Sequence, residues 1–157
     1  MALSKDDIKA AYPLPLYNYR VEIGPDSVAF SEVSGLAVSY ETFTFKESPV
    51  ESGAPGPRSM TMPAQPEATT LTLKKGVVRG ASVEALYRWI GSKQLNLIEK
   101  KDIFIRLCDE KGDPAVSWKV INAFPTKLDA PGFDASSNDA AVETMELTAD
   151  GVMIKEA

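Results

Sequence analysis

The sequence predicts a mainly β fold: an antiparallel β-barrel or sandwich of about seven or eight strands, with one flanking α-helix at roughly residues 82–91. Three observations predict it. Apolar–polar alternation of period two recurs along the chain. Gly-, Pro- and Asp/Asn-rich turns separate the alternating runs. Only one segment carries a helical apolar stripe fit to pack on a sheet.

Residues 1–15 read as an N-terminal arm, and residues 16–157 as a single β domain. A short helical pattern runs from Asp6 to Ala11 and stops before Pro13 and Pro15, which cannot continue a helix. From Leu16 to Ile23, Tyr17, Tyr19, Val21 and Ile23 alternate with Asn18, Arg20 and Glu22, which predicts a half-buried strand. Gly24-Pro25-Asp26-Ser27 is a turn, Val28 to Val33 a second short strand, and Ser34-Gly35 a break. Leu36 to Lys46 reads as a longer strand in which Phe43 and Phe45 share a face.

Residues 47–68 hold five of the eleven prolines: Pro49, Pro55, Pro57, Pro63 and Pro66. Proline removes an N–H donor, so the segment cannot be a central strand or a helix. It is expected to be a long Pro/Gly-rich loop, and loops of that length in small domains are usually functional or disordered.

Thr69 to Lys74 alternates again, with Leu71 and Leu73 on one face, and Gly76 and Gly80 follow it. The one convincing helix comes next. Ser82 is the expected N-cap, Glu84 complements the helix dipole, and Val83, Leu86, Trp89 and Ile90 form the apolar stripe. Gly91 fits the C-terminal stop. Trp89 is expected to anchor helix to sheet.

Asp102 to Thr126 reads as a β-hairpin around Asp109-Glu110-Lys111-Gly112-Asp113-Pro114, with Val116, Trp118 and Val120 on one face and Phe124-Pro125 closing it. Lys127 to Asp139 is loop-like. Ala141 to Thr148 is a strand with Glu143, Met145 and Leu147 on one face, and Val152-Met153-Ile154 follows the turn Asp150-Gly151.

Composition narrows the function. The chain has 157 residues, a size that buries roughly 70% of the unfolded surface without metals or disulfides. Its formal net charge is -5, and no basic cluster exceeds pairs such as Lys74-Lys75 and Lys100-Lys101. That speaks against specific nucleic-acid binding. Histidine is absent, which removes the commonest general base and metal ligand. Cys108 stands alone, so no internal disulfide forms, and its place at the end of an apolar strand predicts a buried thiol. No stretch reads as a membrane span or secretory signal, which fits synthesis in a reducing cytoplasm.

No phosphate loop, dinucleotide motif, nucleophile elbow or metal-binding spacing is present. The acidic pairs Asp6-Asp7 and Asp109-Glu110 fall in an arm and a turn, where nothing would shift a carboxylate toward catalysis. The expectation is no enzyme, no catalytic residue, no cofactor and no metal. A projecting arm, a long loop and unprotected sheet edges point instead to assembly. The other reading is a monomeric ligand- or carbohydrate-binding β-domain with a pocket near Tyr87 and Trp89.

Several segments resemble the inner tube proteins of contractile phage tails and of extracellular contractile injection systems, the antifeeding-prophage and virulence-cassette particles. They are YPLPLYNYRVEIG (Tyr12 to Gly24), FSEVSGL (Phe30 to Leu36), TLTLKKGVV (Thr70 to Val78) and LYRWI (Leu86 to Ile90). QLNLIEKKDI (Gln94 to Ile103), WKVINAFPTKL (Trp118 to Leu128) and GFDASSNDAAVETMELTADGV (Gly132 to Val152) complete the set. Their order and spacing carry the resemblance. The chain departs from that family at Met62-Pro63-Ala64, where relatives have Met-Pro-Gly, and in a longer connection between Phe45 and Leu71.

The resemblance implies a β-barrel with a flanking helix, shared with the tube protein of type VI secretion. It implies a structural subunit that forms hexameric rings stacked into a hollow tube. Its implied partners are copies of itself, a contractile sheath protein, baseplate, spike and cap proteins, and effector cargo in the lumen. The particle would assemble from cytoplasmic subunits and act outside the cell or attached to it. Ring-to-ring contact is expected from the arm and the loop, with Tyr12, Pro13, Pro15, Pro49, Pro55, Pro57, Arg58, Met60 and Met62 as candidates.

Overall fold

A computed structural model describes residues 2–50, 53, 55–79, 81–91 and 98–156, and for residues 81–85 the backbone only. Met1, Gly80 and Gln94 to Leu97 of the QLNLIEKKDI segment lie outside the described residues.

The arm opens with helix α1 (Lys5–Ala11). Ser4 caps it: its hydroxyl accepts from the Asp7 N–H at 3.1 Å, and the Asp7 carboxylate accepts from the Ser4 N–H at 3.1 Å. No residue of α1 is buried. Strands β1 (Tyr19–Ile23) and β2 (Asp26–Val28) form a tight antiparallel pair. The single strand expected over Val28 to Val33 is divided. β2 pairs β1, whereas β3 (Glu32–Ser34) crosses to the far edge of the sheet and pairs β6. The intervening Phe30 packs against the core, and its carbonyl accepts from the Tyr19 hydroxyl at 2.7 Å.

Strands β4 (Tyr40–Glu47) and β5 (Arg58–Pro66) form a separate two-stranded sheet. The expectation of a loop over residues 47–68 is therefore corrected: much of that segment is a strand. The proline argument excludes only a central strand. β5 pairs with β4 alone, so one of its edges is open and the missing N–H groups of Pro63 and Pro66 leave no ladder broken.

Strand β6 (Thr69–Gly76) precedes helix α2 (Ala81–Gly91). The helix begins at Ala81, so Ser82 lies inside the first turn rather than at the N-cap. Strands β7 (Lys101–Cys108) and β8 (Pro114–Asp129) form the expected hairpin, but β8 does not end at Phe124-Pro125. It continues to Asp129 because it changes partners. Its first half pairs β7 and β10 (Gly151–Glu156), and its second half pairs β9 (Val142–Ala149). Asn122, at φ 52°, stands just before the exchange, and Pro125 sits at a register shift, where a strand tolerates proline.

The eight-stranded sheet runs β2-β1-β7-β8-β9-β6-β3, with β10 added along β8. It does not close into a barrel. The long β8 is shared by two layers, giving a sandwich-like, mainly antiparallel fold of ten strands and two helices among the described residues. Val21, Ile23, Ile103, Ile105 and Val120 of one layer cluster with Leu71, Leu73, Met145 and Leu147 of the other. Fully burying each such side chain stabilises the fold by about 1.5–3 kcal/mol. Leu86 and Trp89 bring α2 into the same core, and the Trp89 indole N–H donates to the Glu99 carbonyl at 2.9 Å. Cys108 is buried, as its strand-end position predicts.

Candidate assembly interface

The hairpin β4–β5 is built by alternation on both strands. Phe43 lies opposite Met62 and Phe45 opposite Met60. Residues directly opposite share a face, so these four make one apolar surface. The other face is polar, with the Thr44 and Thr61 hydroxyls 3.3 Å apart. Phe43 and Phe45 are 50% and 49% exposed. Among the described residues, half of each ring is left uncovered. An exposed apolar ribbon with open edges is the kind of feature that marks an interface.

The ribbon is anchored at its base. The Glu67 N–H donates to the Ser39 carbonyl at 3.0 Å, the Ser39 hydroxyl to the Glu67 carboxylate at 2.9 Å, and the Thr69 hydroxyl to the Ala37 carbonyl at 3.1 Å. At the far end Glu47 and Arg58 form an ion pair. Pro49, Pro55, Pro57 and Arg58 line one shallow depression there, together with Glu47 and Val50.

The structure thus brings six candidates into the hairpin. Pro49, Pro55, Pro57 and Arg58 meet at its tip, and Met60 and Met62 lie on its apolar face. Tyr12, Pro13 and Pro15 lie in the arm, all exposed. The arm is tied elsewhere: Lys9 Nζ stands 3.2 Å from Glu110 Oε1 on the β7–β8 turn. That turn is stiff. Asp109 accepts from the N–H groups of Lys111 and Asp113 at 2.9 and 3.0 Å. The Asp113 bond, with smaller help from Lys111 and Lys9, holds its carboxyl below the ordinary value.

Sequence reasoning missed the partnership of Phe43 and Phe45 with Met60 and Met62. The signal was there: Phe-x-Phe and Met-x-Met stand on either side of a Pro/Gly-rich centre. The alternative reading placed a pocket near Tyr87 and Trp89, and the structure brings only Trp89 to a hollow. Trp89 is 4% exposed and Tyr87 68%, so one faces the core and the other solvent. The apolar hollow beside α2 is lined by Leu86, Arg88 and Trp89 without Tyr87.

Among the described residues no group of three or more His, Cys, Asp or Glu could hold a metal ion. Among them also, no helix is long and apolar enough to cross a membrane.

Residues 15–153 match the family model of T4-like virus tail tube protein gp19. No curated protein is similar to the chain at a significant level. Among solved structures, a chain of the sheath–tube complex of an extracellular contractile injection system (PVC, extended state) is 40% identical. The match covers 99% of this chain and 100% of that one, with a TM-score of 0.89. A chain in the anti-feeding prophage cap (AFP tube terminating cap) is 43% identical over the whole of both chains, with a TM-score of 0.85. A chain of the anti-feeding prophage baseplate shares the fold at 19% identity and a TM-score of 0.76.

Proposed function

The chain belongs to the T4-like virus tail tube protein family, and from that premise we propose that it is the repeating subunit of the inner tube of a contractile injection particle. Its role is structural, and it is not an enzyme. The observation that carries the proposal is the end-to-end match, at 40% identity, with a chain from a sheath–tube complex. In this reading six copies form a ring and rings stack into a hollow tube. A sheath surrounds the tube, cap and baseplate proteins close its ends, and cargo travels in the lumen. Subunits are made in the cytoplasm and act in a particle outside the cell or attached to it.

The hairpin supports the ring-to-ring part. Head-to-tail contact is heterologous, so it propagates into a filament when a projecting element of one copy meets a different surface of the next. The apolar face of Phe43, Phe45, Met60 and Met62 projects in this way. Covering the exposed half of one phenylalanine ring contributes about 1 kcal/mol, and a ring of copies multiplies that term. The arm from residue 2 to Pro15 supplies a second contact.

Negative-stain microscopy of the purified protein tests this. The expected result is rings or tubes about 100 Å wide, a few domain diameters. Deleting residues 50–60 should abolish stacking while leaving a folded chain. Unchanged tubes from the deletion variant would remove the hairpin from the contact. A monodisperse monomer from the intact chain would remove the tube role.

A further inference from the structure

Burial fades along the inner face of the main sheet toward the arm. Opposed residues share a face, so the face can be followed row by row. Ile23, Ile103 and Val120 form a buried row. In the next row Val21 and Ile105 are buried but Trp118 is only half-buried. In the last row Tyr19, Leu107 and Val116 are all half-buried. Cover runs out because β3, the strand that faces this end across the gap, is only three residues long.

An apolar groove of about 360 Å³ remains, walled by Leu16, Tyr19, Leu36, Ile105, Leu107 and Trp118. The polar side chains at its wall already have partners. The Tyr19 hydroxyl donates to the Phe30 carbonyl, the Ser31 hydroxyl donates to the Lys74 carbonyl at 3.1 Å, and Glu32 Oε2 stands 3.3 Å from Lys74 Nζ. A polar ligand would find few open valences there, so the groove suits an apolar occupant.

The β4–β5 ribbon has the matching size and charge. Phe43 and Phe45 are two residues apart on one face, so their rings project side by side. A benzene-sized ring fills roughly 150 Å³, so the groove has room for both. By the same alternation Glu47 shares the face of Phe43 and Phe45, and Arg58 that of Met60 and Met62. The apolar face thus ends in the Glu47–Arg58 ion pair. The groove is bordered by the Glu32–Lys74 pair. Two opposed ion pairs are complementary when each acid meets the base of the other pair.

Within one chain the two surfaces stay apart: half of each ring is uncovered, and no described ribbon residue lines the groove. The exposed halves of the two rings amount to roughly 200 Å², against about 800 Å² per partner in a stable interface. One such contact is too small to hold a foreign partner, whereas contacts repeated between identical copies reinforce one another.

We propose that the groove receives the Phe43–Phe45 face of the ribbon of a second copy. The proposal rests on the reading of the hairpin as a contact between copies, and it names the surface that the hairpin meets.

Cysteine crosslinking of the full chain under assembly conditions tests it. Leu16→Cys marks the groove wall and Met60→Cys marks the ribbon, leaving both phenylalanine rings in place. Leu16 is 86% exposed and Met60 lies outside the core, so both variants keep the fold, and Cys108 is buried. After treatment with a short bismaleimide, the double variant should give a ladder of covalent multimers on a denaturing gel, and each single variant should remain monomeric. Adding Phe45→Ala should raise the concentration for half-maximal crosslinking about fivefold, the effect of half a ring. An unchanged concentration overturns the proposal. Absence of the ladder from a double variant that forms tubes by microscopy overturns the groove and leaves the tube role intact. Absence of both ladder and tubes removes both. A ladder that stops at the dimer keeps the groove but removes the tube, because a reciprocal pair closes on itself.

Discussion

The main sheet and the β4–β5 hairpin are built from the same alternation and end in opposite states. In the main sheet the alternation is completed within the chain: Leu71, Leu73, Ile103, Val120, Met145 and Leu147 are fully buried. In the hairpin Phe43 and Phe45 alternate just as cleanly and remain half exposed. The difference lies in what faces them. Each layer of the main sheet has the other layer opposite it, whereas the hairpin has only its own second strand. Two-stranded ribbons are marginal alone. Apolar period two therefore signals a strand, and only the opposing layer decides whether that strand is core or contact surface.

A pair of alanine substitutions gives the largest expected separation between the two regions. Leu147→Ala opens a cavity where the surroundings cannot collapse, and should cost about 2–5 kcal/mol of folding stability. Phe45→Ala should cost less than about 1 kcal/mol in the dilute, unassembled chain, because half the ring is already in water. Its loss should appear in tube formation instead. Urea denaturation of both variants, beside microscopy, measures the contrast. Equal losses of folding stability would mean that the hairpin is part of the core.

Much of this division was legible in the sequence. The Leu71/Leu73 and Met145/Leu147 faces, the buried Trp89 and the buried Cys108 all follow from local pattern. Three features did not follow, each for a physical reason. The β5 strand was hidden because proline excludes a central strand but not one paired on a single edge. The extension of β8 beyond Pro125 was hidden because a strand that exchanges partners can hold a proline at the register shift. The division of Val28 to Val33 depends on which edge each half pairs with, and pairing is a non-local property. At the candidate interface, residue types pointed to the segment. The face formed by Phe43 and Phe45 with Met60 and Met62 required the register.

A smaller effect should come from the joint between the two regions. Gly35 follows β3 and begins the stretch that leads to the hairpin. Its φ is +91°, and a Cβ there would collide with the Thr70 carbonyl on β6. Gly35→Ala combines an unfavourable backbone region with a backbone clash, so about 1–3 kcal/mol of stability should be lost. If the hairpin unfolds together with the main sheet, thermal unfolding stays a single transition and only the midpoint falls. A split transition would show instead that the substitution lets the two regions unfold independently.

The smallest effect should come from Asp109, and its sign follows from protonation. The Asp109 carboxyl is held below its ordinary value of 3.8, chiefly by the Asp113 N–H. A carboxylate with a lowered folded value stabilises the fold above the ordinary value and loses that contribution as pH falls through the folded one. Asp109→Ala removes the acceptor that braces the β7–β8 turn, and the Lys9–Glu110 contact ties the arm to that turn. The melting temperature of the variant should lie slightly below that of the wild type near neutral pH. The gap should narrow as pH drops below about 4, where the wild-type carboxylate begins to protonate. A gap that stays constant through acid would show that Asp109 acts through turn geometry alone. In that case the arm is held to the turn by Glu110 and owes nothing to the Asp109 charge.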